Sequence, residues 1–598
     1  MQPKNVAYDI CRYYIKDQEG IDAELLRRVD GYRRSRNLDS LSSCTTLFDS
    51  AFHSINEWRF LRQVEAFFKK NSIYADKDVC EASARETFFR CEELCAKTNI
   101  RLDFCYSKRD QLDPDLRSQL SRMQRYISNV LGEFSRFEAQ IPELVKVTPG
   151  ATSSTTRRES LPQLKLKMKI FAPKSAASYI RALYRYFGFK SPKIVFTDTN
   201  RVERVPKNWK TDRTIACEPE GALPFQLAFD TYGKRRLSKF GINLRNQFAN
   251  QELARLASLC DDFVTVDGEN ASSTISFNTV AWLFPGDWFR YLCRFRSKRF
   301  TGCFGDGKYQ MFSSMGNGAT FVIETLIFAA ACYAVGSKDF LVYGDDVIIE
   351  KEFYSEYCKL TAFLGLKINH SKTFAEGPFR ESCGLDSWLG IDVTPVYIRG
   401  VDKRKASLSH LVNTMCGIAS PGGALANYLH ELVLDNKLAI VPFNESTTSG
   451  VWIDPDLALQ LGFLRKRFYR RKDGTLVNSG LLRFKAYQPE NINRPFVDSR
   501  GYYLWFLRKN AQALFSGPWT LHRVVDLQGE EEGFESLFSV SRDSDPHLAS
   551  QTSSVPIYQH RYVRRWVGWF PANTLPLHLD WWSTYDFPLE SRKRKQRG

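Results

Sequence analysis

The sequence predicts an α+β fold built on a split βαβ unit with an antiparallel core. Two short apolar β runs, "FVTVD" (263–267) and "FLVYGDDVIIE" (340–350), enclose a long helical stretch, "TFVIETLIFAAACYAV". A further helix stopped near Gly365 and then a strand follow in "EFYSEYCKLTAFLGLKINHSKTF" (352–374). The order is β-α-insert-α-β-β-α-β, the plan of a split βαβ core.

Each segment has its own signal. Residues 1–147 read as mostly helical, with i, i+3, i+4 apolar spacing in "SINEWRFLRQVEAFFKK" and "LSRMQRYISNVLGEFSRF". "TPGATSSTTRRESLP" (148–162) is a loop by composition, either a linker or a phosphate-contacting segment. Within 148–260 lies the basic run "VPKNWKTDR". From 261 to 400, "DDFVTVD" is a strand, "TISFNTVAWLF" a helix, and "SSMGNGAT" a glycine-rich loop opening the next helix. "FLVYGDDVIIE" reads as strand, turn, strand, with 277–312 in part an insertion. Residues 401–598 are mixed, with basic-aromatic clusters at 463–474 and 562–570. The tail "RKRKQRG" holds five Lys/Arg in seven residues.

At 598 residues the chain is long enough for several subdomains, and 43% apolar with 25% charged residues is a globular balance. The net charge of +17 calls for a polyanionic partner, a nucleic acid or an anionic membrane surface. The membrane reading fails. The most apolar helical stretch, 321–336, is about a turn short of a span and carries Glu324, and the N-terminus has no apolar signal region. The 14 cysteines form no C-x-x-C pair and there are 8 histidines, which argues against structural zinc and for reduced thiols.

Asp345 and Asp346 allow two readings. One is a solvated hairpin turn. The flanking "LVY" and "VII", however, are apolar on both faces, so carboxylates at this tip need a cation or a dense donor network. Asp267 ends the other strand, which the fold order lays beside the hairpin. Asp267 and Asp345 can then converge on two Mg²⁺ ions about 4 Å apart, cations that take one or two carboxylates plus substrate phosphates. Lys207, Lys210 and Arg213, at three-residue steps, are either a solvated charged segment or a clamp for a triphosphate. Gly316 and Gly318 let the backbone approach a ligand or flex, while Asn317 offers donor and acceptor.

Together "TVD…S", "SSMGNGATF", "VYGDDVII", "KTFAEGPFRESCG", "DVTPVYIR" and "VPKNWKTDR" resemble the RNA-directed RNA polymerases of the small single-stranded RNA bacteriophages, the levivirus replicase catalytic subunits. The resemblance runs from about residue 205 to 399. It implies a right-hand polymerase of fingers, palm and thumb. Residues 1–147 and 148–260 would belong to the fingers, 261–400 to the palm (277–312 partly a fingers insert), and 401–598 to the thumb and basic tail.

The resemblance further implies Asp267 and Asp345 as the principal ligands of two Mg²⁺ ions, with Mn²⁺ an acceptable substitute and Asp346 a close auxiliary. Lys207, Lys210 and Arg213 would face the incoming ribonucleoside triphosphate. Ser314, Gly316 and Asn317 would adjust to template and nucleotide. Lys372 is a candidate general acid at the leaving pyrophosphate, a solvated lysine being the alternative. Residues 379–384 would support the primer end. The family's first motif usually ends on a second acid, where this chain has Ser273, with Glu269 as an extra acid. Glu324 stands where many other polymerases carry Asn.

The implied function is replication of a viral single-stranded RNA genome in the cytoplasm of a bacterial host, with RNA template and product as partners. By resemblance alone, host translation elongation factors Tu and Ts and a ribosomal protein join it. Two rivals remain: a reverse transcriptase with the same Y-x-D-D hairpin, and a non-catalytic RNA-binding scaffold, for which the charge suffices.

Overall fold

The computed structural model describes residues 3–48, 54–155, 165, 169–400, 404–442, 446–453, 465–471, 473–489 and 560–568. The chain runs through helices α1 (Pro3–Lys16), α2 (Ile55–Lys69), α3 (Lys77–Ser107) and α4 (Pro114–Leu131), then strands β1 (Thr199–Pro206) and β2 (Asp212–Cys217). Helices α5 (Leu223–Ser238) and α6 (Phe248–Ala257) lead to β3 (Phe263–Val266), β4 (Arg299–Gly302) and β5 (Gly307–Lys308). Helix α7 (Thr320–Val335) precedes the hairpin β6 (Leu341–Tyr343) and β7 (Asp346–Glu350). Helix α8 (Tyr354–Phe363), strands β8 (Phe379–Ser382) and β9 (Leu385–Trp388), and helices α9 (Lys405–Met415) and α10 (Ala424–Asp435) follow.

Local chemistry explains the helix limits. Ser54 and Glu57 close a capping box at the start of α2, satisfying orphan N–H groups at both positions. The apolar run over 120–137 suggests one helix, but Gly132 at φ +69° ends α4 and a second helix begins at Phe134. Helix α7 is apolar all round and almost wholly buried, as a core helix must be, and Gly336 at φ +109° stops it.

Two large apolar cores divide the chain. In one, Val6, Ile10, Phe60 and Phe67 of α1 and α2 pack with Leu411, Val412, Leu425 and Leu429 of α9 and α10. In the other, Ile127, Phe229, Leu326, Val347 and Leu364 join α4, α5, α7, β7 and the end of α8. The described part of 1–147 is mostly helical, yet it is shared between these cores: α1 and α2 sit in the first, while Leu102 of α3 and most of α4's buried face sit in the second.

Beside α7 lies a three-stranded sheet in the order β3-β7-β6, antiparallel throughout. The strand expected at the end of 352–374 is instead a pair of isolated bridges, Thr265 to Phe374 and Gly268 to Ile368, along the free edge of β3. A second sheet runs β2-β1-β4-β5. Its Val202 and Phe300 pack on Ala84 and Phe88 of α3.

Strands Arg465–Arg470, Leu476–Pro489 and His560–Gly568 form an antiparallel sheet, so much of the two basic-aromatic clusters falls on strands. The basic tail at 592–598 and residues 156–162 lie outside the described residues.

Candidate active site

The acids meet through strand register. Val266 of β3 pairs with Val347 of β7, so Asp267 follows that pair on one strand and Asp346 precedes it on the other. Tyr343 pairs with Asp346, leaving Gly344 and Asp345 as a two-residue turn. Gly344 adopts φ +67°, its N–H donates to Thr325 Oγ1 at 3.2 Å, and a Cβ there would lie 2.4 Å from the Phe321 ring. The turn is therefore seated on α7, which fixes Asp345 beside Asp267.

The electrostatics show crowding. Burial raises the Asp346 carboxyl to about 7, and the neighbouring Asp345 and Asp267 push it the same way, against an N–H from Cys383. Burial also raises Asp267, and Asp345 adds to this, offset in part by Lys372 and Asn369. Like charges held out of water in this way are relieved by a bound proton or by a cation. Among the described residues no three His, Cys, Asp or Glu side chains are placed to cage a metal on their own. The cluster suits a divalent cation whose coordination substrate oxygens complete.

Several of the expected basic residues reach the acids. Lys372 Nζ stands 3.5 Å from Asp267 Oδ1, with 49% of its side chain exposed against 18% for Asp267. Burial alone would lower the Lys372 pKa, but Asp267, Glu381 and Asp346 raise it overall. Burial, Arg213 and Lys372 lower the Lys207 pKa while Asp267 and Asp345 oppose them, so Lys207 and Arg213 border the same cluster. Lys210 does not: its Nζ pairs with Asp39 at 2.6 Å and lies 4.8 Å from the Trp209 ring centroid. The β-turn at Asn208, which accepts N–H bonds from Lys210 and Thr211, reverses the chain and breaks the expected three-residue face.

The glycine loop is bound up in its own packing. Ser314 is buried, with the Asn200 amide 3.4 Å from its Oγ and Thr320 donating to its carbonyl. Asn317 is also buried, and its Oδ1 accepts the Ala319 N–H at 2.9 Å as a cap for α7. Gly316, at φ +112°, makes its close approach to β2: a Cβ would lie 2.2 Å from the Ala216 carbonyl oxygen. Ser314 Oγ is thus tied to β1 and Asn317 Oδ1 caps α7, so both residues hold the loop in place.

Ser273 sits in a short helical turn, Ala271–Thr274, its N–H on the Asn270 carbonyl. The hydroxyl next to it, Ser272, is the one tied to α7, 3.0 and 3.1 Å from the two Glu324 carboxyl oxygens. Glu324 is 2% exposed, and burial followed by Asp345 raises its pKa to about 8. Glu269 leaves the cluster and pairs with Arg90 at 3.3 Å, since the chain stops being a strand before strand alternation can aim it inward.

Three further residues fasten the cluster: Arg380 and Cys383, within the stretch 379–384 that the sequence singles out, and Asn369, which carries no local sequence signal. Asn369 donates its amide to Asp267 Oδ2 at 2.7 Å, and its N–H to the Asp267 carbonyl at 2.8 Å. Cys383, at φ +51° in the β8–β9 turn, directs its N–H to Asp346. Fully buried Arg380 binds the Phe263 carbonyl at 2.9 Å and Asp261 at 2.9 Å, fastening that hairpin to the start of β3.

Comparison with known proteins identifies the family of the chain. A relative from Qbeta virus (strain MX1), named RNA-directed RNA polymerase subunit beta, is 36% identical over 333 residues, which is 53% of this chain and 56% of the relative. The protein of the same name from Enterobacteria phage SP is 34% identical over 393 residues, 63% of this chain and 67% of the relative. The chain thus spans little more than half the length of the first. A solved structure of the BmCPV RNA-dependent RNA polymerase at elongation state aligns at a TM-score of 0.38 and 10% identity, over 61% of this chain and 36% of that one. The family profile described as "RNA replicase, beta-chain" matches residues 13–435, a span that contains every residue of the acid cluster. This chain belongs to the RNA replicase beta-chain family.

Proposed function

We propose that this chain is an RNA-directed RNA polymerase that extends an RNA strand from ribonucleoside triphosphates on an RNA template, replicating a viral genome inside a bacterial cell. The observation that carries the reading is the convergence of Asp267, Asp345 and Asp346 at one end of a three-stranded sheet, bordered by Lys207 and Lys372. In this reading the sheet β3-β7-β6 with α7 is the split-βαβ palm of a right-hand fold. The sheet β2-β1-β4-β5 belongs to the fingers, and the elements after residue 400 to the thumb.

Two divalent cations, Mg²⁺ or Mn²⁺, bound by Asp267 and Asp345 with Asp346 alongside, would supply Lewis-acid activation of the 3′-hydroxyl and neutralise phosphate charge. Lys207 and Arg213 neutralise the triphosphate from the open side of the cluster. Asn369 keeps one oxygen of Asp267 turned in a fixed direction. Lys372 enters charged, its proton held by Asp267, and is the group placed to protonate a departing pyrophosphate oxygen. The pair of Ser272 with buried Glu324 fixes the turn that carries Ser273.

Primed extension on one RNA template, with ribonucleotides and deoxyribonucleotides in parallel, tests the reading. Incorporation of ribonucleotides is expected, and incorporation of deoxyribonucleotides alone would overturn it. Host elongation factors Tu and Ts and a ribosomal protein are the proposed partners, to be sought by co-purification from an expressing bacterium.

A further inference from the structure

The sheet β2-β1-β4-β5 has two different faces, and its register assigns the residues to each. On β1 and β2, Arg201 pairs with Cys217, Glu203 with Ile215 and Val205 with Arg213. On β1 and β4, Thr199 pairs with Arg299 and Arg201 with Thr301, and Arg299 pairs in turn with Lys308 of β5. Paired residues share a side, and residues one step along a strand face the other way. Val202 and Phe300, out of phase with this set, are the ones buried against α3. The opposite face therefore carries Arg213, Arg201, Arg299 and Lys308 together.

The charges on the two faces are treated differently. Arg204, on the α3 side, pairs with Glu81 at 2.5 Å and Asp212 at 3.1 Å. On the open face the one acid, Glu203, pairs with Arg201 at 2.9 Å. Arg213, Arg299 and Lys308 are exposed and have no acidic partner among the described residues. Half-buried Val205 and Ile215 lie between the cations. The cations lie on a diagonal that starts at Arg213, next to Lys207 and the acid cluster, and ends at Arg299 and Lys308, three strand spacings (about 14 Å) across and about 20 Å along β1, from Val205 to Thr199. At about 3.4 Å of axial rise per nucleotide in a stacked strand, that spans several phosphates.

We propose that this open sheet face binds the phosphate backbone of the single-stranded RNA template on its way to the acid cluster, with Arg299 and Lys308 as the outermost contacts. The assignment rests on the polymerase reading but names a surface that reading does not require. A single strand fits because the cations follow one diagonal across a sheet face, with the apolar side chains of Val205 and Ile215 between Arg213 and Arg201 available to sugars and bases. An acidic protein segment would answer the same charge, and the test separates the two.

The full chain carrying Arg299→Gln with Lys308→Gln, and separately Arg299→Glu with Lys308→Glu, is titrated with a 20-nucleotide single-stranded RNA over a range of salt. Both side chains are exposed, Lys308 on the edge strand β5 and Arg299 on the neighbouring β4, and the Gln pair removes charge without adding any, which separates lost contact from repulsion or misfolding. Affinity at about 0.15 M salt should fall about ten-fold for the Gln pair and further for the Glu pair, and the log–log salt slope should become shallower by about 1.4, at about 0.7 per lost contact. The KM for nucleotide on saturating RNA should stay within two-fold, about the resolution of such a comparison. Unchanged affinity and slope would overturn the proposal, whether the face is bare or holds an acidic protein segment, and so would a loss expressed only in the nucleotide KM. Wild-type protein that binds RNA on this face but never extends it would sink the polymerase reading and leave the surface assignment standing.

Discussion

Val266 pairs with Val347 across the antiparallel ladder, and this one register sets Asp267 opposite Asp346 at the same end of the sheet. A slip of one residue would send the whole apolar set of β3 to the other face. The buried Val264, Val266, Val347 and Ile349 make such a slip costly, so the hydrophobic core holds the acids in place.

Asn369 should matter as much to Asp267 as a residue of the cluster itself. Asn369→Ala removes a charge-assisted hydrogen bond worth about 1.5–3 kcal/mol. Single-nucleotide extension should slow about 10- to 100-fold while RNA affinity holds. Asn369→Asp, which sets a second carboxylate against Asp267 Oδ2, should be slower still.

The two loop glycines should differ in what they tolerate. At Gly316 an added Cβ meets the Ala216 backbone at 2.2 Å, at Gly344 it meets the rim of the Phe321 side chain at 2.4 Å, and both residues have positive φ. Backbone cannot step aside and a ring can. Denaturant melting should therefore show Gly316→Ala losing more than about 3 kcal/mol and Gly344→Ala about 1–3 kcal/mol.

Arg62 on α2 and Asp386 on β9 form an ion pair with only 11% and 3% of their side chains exposed. Arg62→Ala strands a buried carboxylate and should cost about 3–5 kcal/mol, whereas Arg62→Met with Asp386→Leu should cost much less. Because β9 forms a hairpin with β8, whose turn reaches Asp346, the single variant should also lose extension activity.

Glu92 of α3 supplies a pH test. Burial raises its folded pKa to about 7 from an ordinary 4.5, partly offset by the Gln310 and Met311 N–H groups. The folded state binds this proton more tightly than the unfolded chain, so Glu92's contribution to stability falls as pH rises from about 4.5 to 7, then levels. Glu92→Gln removes that fall. The stability of the variant minus that of wild type should climb by up to about 3 kcal/mol over this window, and a flat difference would contradict the assignment.

The sequence made the hairpin legible because apolar β-formers flank a Gly-Asp turn, and it made α7 legible because helical length and apolarity coincide. Asp267, Asp345 and Asp346 each sit at the boundary of a strong local pattern, so they could be named. Asn369 could not: it touches Asp267 from 102 residues away, out of a segment with no regular periodicity. The Arg62–Asp386 contact spans 324 residues, and nothing in "EWRFLR" distinguishes it from a solvated helix face. Lys210 is the opposite case. Its spacing matched its neighbours, but a turn at Asn208 sent its side chain to Asp39. Period and composition encode elements, whereas long-range polar partners are encoded only once the elements have packed.

The most direct test of the central claim is single-turnover primed extension by Asp345→Asn, with RNA binding measured on the same sample. The account predicts a rate lower by about 10³-fold or more, with RNA affinity within a few-fold of wild type because the basic surfaces are untouched. Extension at near wild-type rate would contradict it, since no acid cluster centred on Asp345 could then be carrying the reaction.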